Sequence, residues 1–284
     1  MHRLLKLPLL AILAISTCPA YAEADFQAKP LEVGVVPYLS ARVLIASYEP
    51  LRLYLQQALG KPVKIYTATG FKQFYLNAKR GDYDLIISAA HIARILQKKN
   101  NFTPLARYST NNHSLVMTAL NSKLNSRQDL RGQVIAVPDQ LSLATIVCML
   151  WLRENGLQAG TDFHLLEVPS FTSAILSVQK GDAMAAVTTD AVLSQMPREM
   201  REAVRPVVDI GEFSNLVFLA HPRLGQADIK RLGNALLKFG SESTEGRQFL
   251  ASTGFGTLIP ASPKDMNSLD RYVAETKRLL DELP

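Results

Sequence analysis

The sequence predicts an α/β fold built as two open sheets with a cleft between them, and two observations predict it. First, a stretch of the chain occurs twice. One copy runs Val33-Gly-Val-Val-Pro37, then Phe71, then Lys79-Arg-Gly-Asp82 leading into Asp84-Leu-Ile-Ile-Ser88. The other runs Val134-Ile-Ala-Val-Pro138, then Phe171, then Gln179-Lys-Gly-Asp182 leading into Met184-Ala-Ala-Val-Thr188. Pro37 and Pro138, Phe71 and Phe171, and Gly81 and Gly181 stand 101, 100 and 100 residues apart, the constant offset of a duplicated unit. Second, each strand ends in Pro or a small hydroxylated residue and opens into a helix. That pattern places a ligand-binding edge at the carboxyl ends of the strands.

The elements follow in order. Leu31–Pro37 is a nearly continuous apolar run, as in a parallel strand covered on both faces. Tyr38-Leu-Ser40 is a loop, and Ser40 can cap a helix from Ala41. Pro50 marks a fresh helix start, with Leu51, Tyr54, Leu55 and Leu59 on one face and Gly60 as terminator. Val63–Ala68 is a strand, Phe71, Phe74, Tyr75 and Ala78 line a helix face, and Asp84–Ala89 is a strand. A helix over Ala90–Lys99 ends at Asn100-Asn101, and strands follow at Thr103–Ser109 and Ser114–Ala119. The second copy gives strands at Val134–Val137, Phe163–Val168 and Ala183–Thr189. Its helices fall at Ser142–Asn155, Thr172–Gln179 and from Asp190 to Met196. Strands at Val204–Ile210 and Asn215–Ala220 precede a helical tail over Ala227–Phe239, Gly246–Ala251 and Ser268–Leu283.

The chain of 284 residues starts with a basic segment, Met1 to Lys6, and an apolar run, Leu7 to Thr17, too short for a permanent span. Ala20-Tyr-Ala22 then reads as a signal-peptidase site, so residues 1–22 are assigned to a cleavable leader and the protein to the periplasm. Cys18 raises a lipoprotein reading, but Ile15-Ser-Thr17 is a poor lipobox. Cleavage leaves 262 residues with a net charge of +4 instead of +6. No basic run with interleaved aromatics points to nucleic acid. A single thiol remains, Cys148, inside the apolar run Thr145 to Leu152. It is read as a core residue, and no disulfide supports the fold.

With no linker in sight, the halves must be joined by ordinary strands. The crossings are placed at His113–Asn121 and Gly211–His221, a two-segment hinge. The first lobe then takes residues 23–115 and 217–284, and the second takes residues 116–216.

Polar groups gather at the strand-to-helix junctions: Tyr38 and Ser40; Ser88 and His91; Ser142 and Thr145; Ser170 and Thr172; Thr188, Thr189 and Asp190. Helix starts carry unpaired N–H groups and a partial positive charge, so facing junctions can enclose a small oxyanion without Arg. Each Ser or Thr here is equally an ordinary N-cap. Tyr38 can bond a ligand or simply pack. His91 can donate to an anion or stand exposed. Asp190 can accept from a protonated oxyanion or an amine, or cap a helix. Catalytic motifs are missing: the sequence has no HExxH, CxxC, GxGxxG, Walker or G-x-S-x-G run, and its histidines lack metal-ligand spacing. A cleft and hinge without chemistry argue for a binding protein with no cofactor and no metal.

Leu31-Glu-Val-Gly-Val-Val-Pro-Tyr38, Tyr48-Glu-Pro-Leu51 with Tyr54-Leu55, and Gly81-Asp-Tyr-Asp-Leu85 resemble the phosphate/phosphite/phosphonate-binding family of periplasmic solute-binding proteins. The resemblance implies a type II periplasmic-binding fold that holds its ligand between two hinged lobes and delivers it to an ABC permease. It implies ligand contacts near Tyr38–Ser40, Ser88, Ser142, Ser170 and Asp190. Transport members carry a Ser-Thr-Ser run after an Asp-Pro pair. The matching run here is Asp139-Gln-Leu-Ser142-Leu-Ala-Thr145, in which Leu143 and Ala144 replace two hydroxyls. A hydrogen bond to a charged group is worth about 1.5–3 kcal/mol, so the change points to a less polar ligand or a weaker grip. Some relatives of this kind act as sensory subunits beside membrane kinases or cyclases, the alternative role. The protein is expected to act as a monomer on a small anionic ligand.

Overall fold

The structure, a computed structural model, describes residues 29–283. The leader read at residues 1–22 lies outside the described residues.

The chain alternates strand and helix: β1 (Leu31–Val35), α1 (Ala41–Leu59), β2 (Val63–Tyr66), α2 (Phe71–Arg80), β3 (Leu85–Ser88), α3 (Ala90–Asn100), β4 (Thr103–Tyr108) and β5 (Asn111–Ala119). The second copy follows: β6 (Val134–Val137), α4 (Leu143–Glu154), β7 (His164–Glu167), α5 (Phe171–Lys180), β8 (Ala185–Thr189), α6 (Asp190–Ser194), α7 (Arg198–Glu202) and β9 (Val204–Ser214). The return comprises β10 (Val217–Ala220), α8 (Gln226–Ser241), α9 (Thr244–Thr253), β11 (Leu258–Pro260), α10 (Pro263–Asn267) and α11 (Asp270–Glu282).

The strands form two sheets, in the orders β2-β1-β3-β10-β4-β11 and β7-β6-β8-β5-β9. The duplication read in the sequence is present strand for strand. In each sheet a central strand pairs in parallel on both sides, β1 with β2 and β3, and β6 with β7 and β8. In each, the next position is an antiparallel strand that has just crossed from the other sheet, β10 in the first and β5 in the second. The repeated glycine does the same job twice. Gly81 and Gly181 close α2 and α5 at φ 83° and 81°, the left-handed region where a Cβ is strained.

Three expectations change. Pro50 does not start a helix but lies inside α1, which runs unbroken for 19 residues. Its buried stripe Leu44, Tyr48, Leu51, Leu55 and Leu59 passes through the proline at helical spacing. Packing on both sides therefore outweighs an interior proline's cost of about 3 kcal/mol. The crossings fall earlier in the sequence at the first passage and more narrowly at the second than His113–Asn121 and Gly211–His221 suggest. β5 and β9 pair over their whole length, from Asn111↔Ser214 to Ala119↔Val204, and so belong to one sheet. The chain passes between sheets at Ser109–Thr110 and Asn215–Leu216. Finally, the tail contains a strand, β11, at the edge of the first sheet beside β4.

The core extends through both sheets. In the first, Tyr48, Tyr108, Phe239, Phe249 and Phe255 interlock, with Tyr48–Phe249 and Tyr108–Phe255 ring centroids 5.3 and 4.9 Å apart. The C-terminal helices are thus packed back onto the lobe that opened the chain. Cys148 is fully buried on α4, and burial pushes its thiol up to about 12, so it is inert packing. Among the described residues no helix is long and apolar enough to cross a membrane.

Candidate functional site

A cavity lies between the two sheets, at the carboxyl ends of their parallel strands. Each side of it is built from a strand end and the helix that follows. β1 runs out at Val35, and its turn delivers Tyr38; β3 delivers Ala89 and Ala90 at the start of α3. Across the gap, β6 leads to Ser142, Leu143 and Ala144 at the start of α4, and β8 ends in Thr189 at the start of α6. Phe71 and Phe171, the repeated landmarks, are the first residues of α2 and α5 and both line the cavity. Phe213, Ser214, Asn215 and Leu216 from the return crossing, Asn112 from β5 and Phe255 from the tail complete it. The space open to water centres is about 40 Å³, room for roughly three waters.

The cavity carries no charged side chain. Its wall is largely aromatic and aliphatic, and its polar chemistry is specific. The Tyr38 hydroxyl is buried beside Tyr48 and makes no hydrogen bond of standard geometry. Burial, then the neighbouring Tyr48, hold it far above the ordinary phenol range, so it keeps its proton and can donate. The Tyr38 ring packs 5.9 Å from Phe255, which fixes its direction. The first-turn N–H groups of α3 and α4 have no carbonyl behind them. The two crossings are tied by Asn215 Nδ2 donating to Asn112 Oδ1 at 3.3 Å.

Beside the cavity, hydrogen bonds join the lobes. The backbone N–H of Phe71 donates across the gap to Asp139 Oδ2 at 3.0 Å, while within the second lobe Leu141 N–H donates to Asp139 Oδ1 at 2.7 Å. Burial pushes the Asp139 carboxyl up, against the pull of those two donors. His91 Nε2 lies 2.9 Å from the carbonyl oxygen of Leu141, which fixes Nε2 as the protonated nitrogen. Burial lowers the His91 pKa to about 4, so the ring is neutral at pH 7.

Of the residues the sequence singled out, Tyr38, Ser142 and Thr189 line the cavity. Ser142 also caps α4, accepting from Thr145 N–H at 3.1 Å, and its hydroxyl lies 2.7 Å from that of Thr145. Ser170 caps α5 by accepting from Ser173 N–H at 3.2 Å. Ser40 is exposed and makes no side-chain cap bond. Ser88 is buried and donates to Ala89 O at 3.2 Å. His91 is buried rather than exposed and serves the lobe contact. Thr172 is half-buried off the cavity, and Thr188 is buried within β8. Asp190 is exposed and accepts from the backbone N–H of His113 at 2.9 Å. The sequence reading missed Asn112, Phe213, Ser214, Asn215 and Phe255 as lining residues. It saw Phe71 and Phe171 only as markers of the repeat.

A family model described as the periplasmic substrate-binding protein of phosphonate ABC transporters matches residues 33–266. The chain belongs to that family. Solved structures of similar fold include a binding protein component of an ABC phosphonate transporter from Pseudomonas aeruginosa. It is 14% identical at a TM-score of 0.79, with 89% of each chain covered. PhnD1 from Prochlorococcus marinus, in complex with methylphosphonate, is 17% identical at a TM-score of 0.78, covering 90% of this chain and 99% of that one. XAC2383 from Xanthomonas citri, bound to chloride ion, is 20% identical at a TM-score of 0.72, covering 89% and 99%. The fold is that of type II periplasmic binding proteins. As a member of the phosphonate-binding family the chain is a periplasmic solute-binding protein of an ABC transporter, and not an enzyme.

Proposed function

We propose that this phosphonate-binding family member captures its oxyanion in the cavity between the sheets. The Tyr38 hydroxyl, the Ser142 and Thr189 junctions, Asn112 and the first-turn N–H groups of α3 and α4 hold it. The observation that carries this reading is Tyr38, a buried residue lining the cavity where α3 and α4 begin, whose hydroxyl makes no hydrogen bond of standard geometry. A buried donor without a partner costs about 1–3 kcal/mol, which an arriving oxyanion recovers. Thr145, Ser170, Thr188 and Asp190 act as caps or packing residues in this reading, and Ser40, Ser88, His91 and Thr172 lie outside the contact set. The mature chain begins after Ala22, works as a monomer, binds no nucleic acid and delivers its ligand to a permease. The family is one of transport components, which favours delivery over a sensory role.

Titration calorimetry with phosphate, phosphite, methylphosphonate and sulfate tests the reading. At least one binds wild-type protein, and Tyr38→Phe weakens it about tenfold, the worth of one charge-assisted hydrogen bond, without lowering Tm. Undiminished binding by Tyr38→Phe removes the residue from the site. No heat from any of the four overturns the oxyanion reading.

A further inference from the structure

We infer that Tyr48 and Tyr108 are positioning residues for the anion: behind Tyr38 they complete a file of three phenol hydroxyls whose one surplus hydrogen is directed into the cavity. The inference rests on the oxyanion reading above and adds two residues that never touch the ligand.

Three elements bring the hydroxyls together. Tyr38 follows β1, Tyr48 lies on the buried stripe of α1, and Tyr108 is the last residue of β4, just before the first crossing. Tyr38 lines the cavity, whereas Tyr48 and Tyr108 stand behind it. Tyr48 and Tyr108 are wholly buried, and their hydroxyl oxygens lie 3.3 Å apart. The Tyr38 hydroxyl is buried beside that of Tyr48, short of standard hydrogen-bond geometry. Aromatic rings surround the three. Phe249 packs edge-on against Tyr48, Phe218 packs against Tyr108, and Phe255 meets both Tyr108 and Tyr38. Burial raises the pKa of all three phenols, so each keeps its hydrogen at neutral pH. Among the described residues, no group outside the three makes a hydrogen bond to any of these hydroxyls.

A count of hydrogens sets the direction. Each phenol offers one hydrogen and has lone pairs to accept another. Three in file make two internal bonds, which use two hydrogens and leave one over. If the file points away from the cavity, the spare hydrogen ends at Tyr108 among aromatic rings. If it points from Tyr108 through Tyr48 to Tyr38, the spare hydrogen emerges at the cavity. An oxyanion that accepts from Tyr38 selects the second direction. It also strengthens the bonds behind it, because a hydroxyl that donates to an anion becomes a better acceptor. Tyr48 thus acts by filling the acceptor side of the Tyr38 oxygen, and Tyr108 does the same for Tyr48.

The test is a double-mutant cycle by calorimetry on the purified protein, with phosphate, phosphite, methylphosphonate and sulfate as probes. For an anion that wild type binds, Tyr48→Phe should raise Kd about threefold and Tyr108→Phe about twofold, the polarisation lost with the nearer and the farther link. In the Tyr38→Phe background neither should raise Kd further, because the file no longer reaches the ligand. A packing role would persist there, so an equal rise with and without the Tyr38 hydroxyl overturns the inference. An unchanged Kd in the single variant Tyr48→Phe overturns it as well. Both outcomes leave the oxyanion reading standing, since Tyr38→Phe alone tests that. Failure of all four anions to bind wild type overturns the inference together with the reading beneath it. Should Tyr48→Phe fail to fold, the same cycle with Tyr108→Phe decides.

Discussion

The two lobes start their helices differently. In the second lobe every helix start that borders the cavity is capped by its own residue. Ser142 serves α4, Ser170 serves α5 and Thr189 serves α6. In the first lobe none is: Ser40, Gly70 and Ala89 make no side-chain cap bond for α1, α2 and α3. The contrast is sharpest at the repeated phenylalanines. Phe171 follows a serine that caps α5 locally, whereas Phe71 follows a glycine, and its N–H is taken by Asp139 from the other lobe. A duplicated unit has kept the helix and moved the cap across the gap. The second lobe thereby caps each of these helices from within, and the first leaves its helix starts without a local side-chain cap. At α2 the cap is Asp139, so closure of the lobes and capping of α2 are one event, and at α3 it is, in the proposed reading, the ligand.

The largest effect expected is at that borrowed cap. Asp139→Ala removes a charge-assisted bond worth about 1.5–3 kcal/mol that exists only when the lobes meet. Ligand affinity should fall by about ten- to a hundredfold, and small-angle scattering should show a larger radius of gyration without ligand. Unchanged scattering and affinity would mean that the contact does not hold the lobes. Next, Gly70→Ser in the Asp139→Ala background gives α2 a local cap like that of α5. Gly70 sits at φ −168°, extended backbone open to any residue, and a Cβ there stands at ordinary contact distance from Asp139. Tm should recover by the worth of about 1 kcal/mol while the protein stays open; recovery of closure as well would break the comparison. Ser170→Ala should cost about 1 kcal/mol in chemical denaturation with affinity unchanged, because its bond stays within one lobe.

The smallest effect is on pH. The folded His91 pKa of about 4 lies below the ordinary value of 6.5. Between those values the unfolded chain binds a proton that the folded one refuses, so stability rises with pH across that window and is lost as pH falls through it. Denaturation at pH 4.5, 5.5 and 7 should show a shallower slope for His91→Gln than for wild type; equal slopes would assign the acid sensitivity to other groups.

The fold was legible because its signals are local or periodic. Val33–Pro37 and Val134–Pro138 announce buried strands by composition, and Gly81 and Gly181 mark the same turn at a fixed interval. Pro50 misled because a single residue's backbone preference was weighed against a buried stripe visible only once α1 packs. The site was legible in part. Tyr38 and Ser142 sit directly after strand ends, where the topology must place the cavity. Asn112, Phe213, Asn215 and Phe255 come from the crossings and the tail, and which strand returns beside which depends on pairing between residues about 100 apart. Asp139 was invisible as a cap for α2 because its partner is 68 residues away in the other lobe.

The exchange of strands has a consequence for how this chain is made. Residues 111–214 contain every strand of the second sheet, so that sheet can form from one uninterrupted length. The first sheet keeps an empty slot between β3 and β4 that only residues 217–220 can fill. The end synthesised first is therefore finished last, and until then two bare strand edges wait for partners. A polypeptide that must stay unfolded while it is threaded through a membrane is helped by such an order, since its leading half cannot lock before its trailing half arrives.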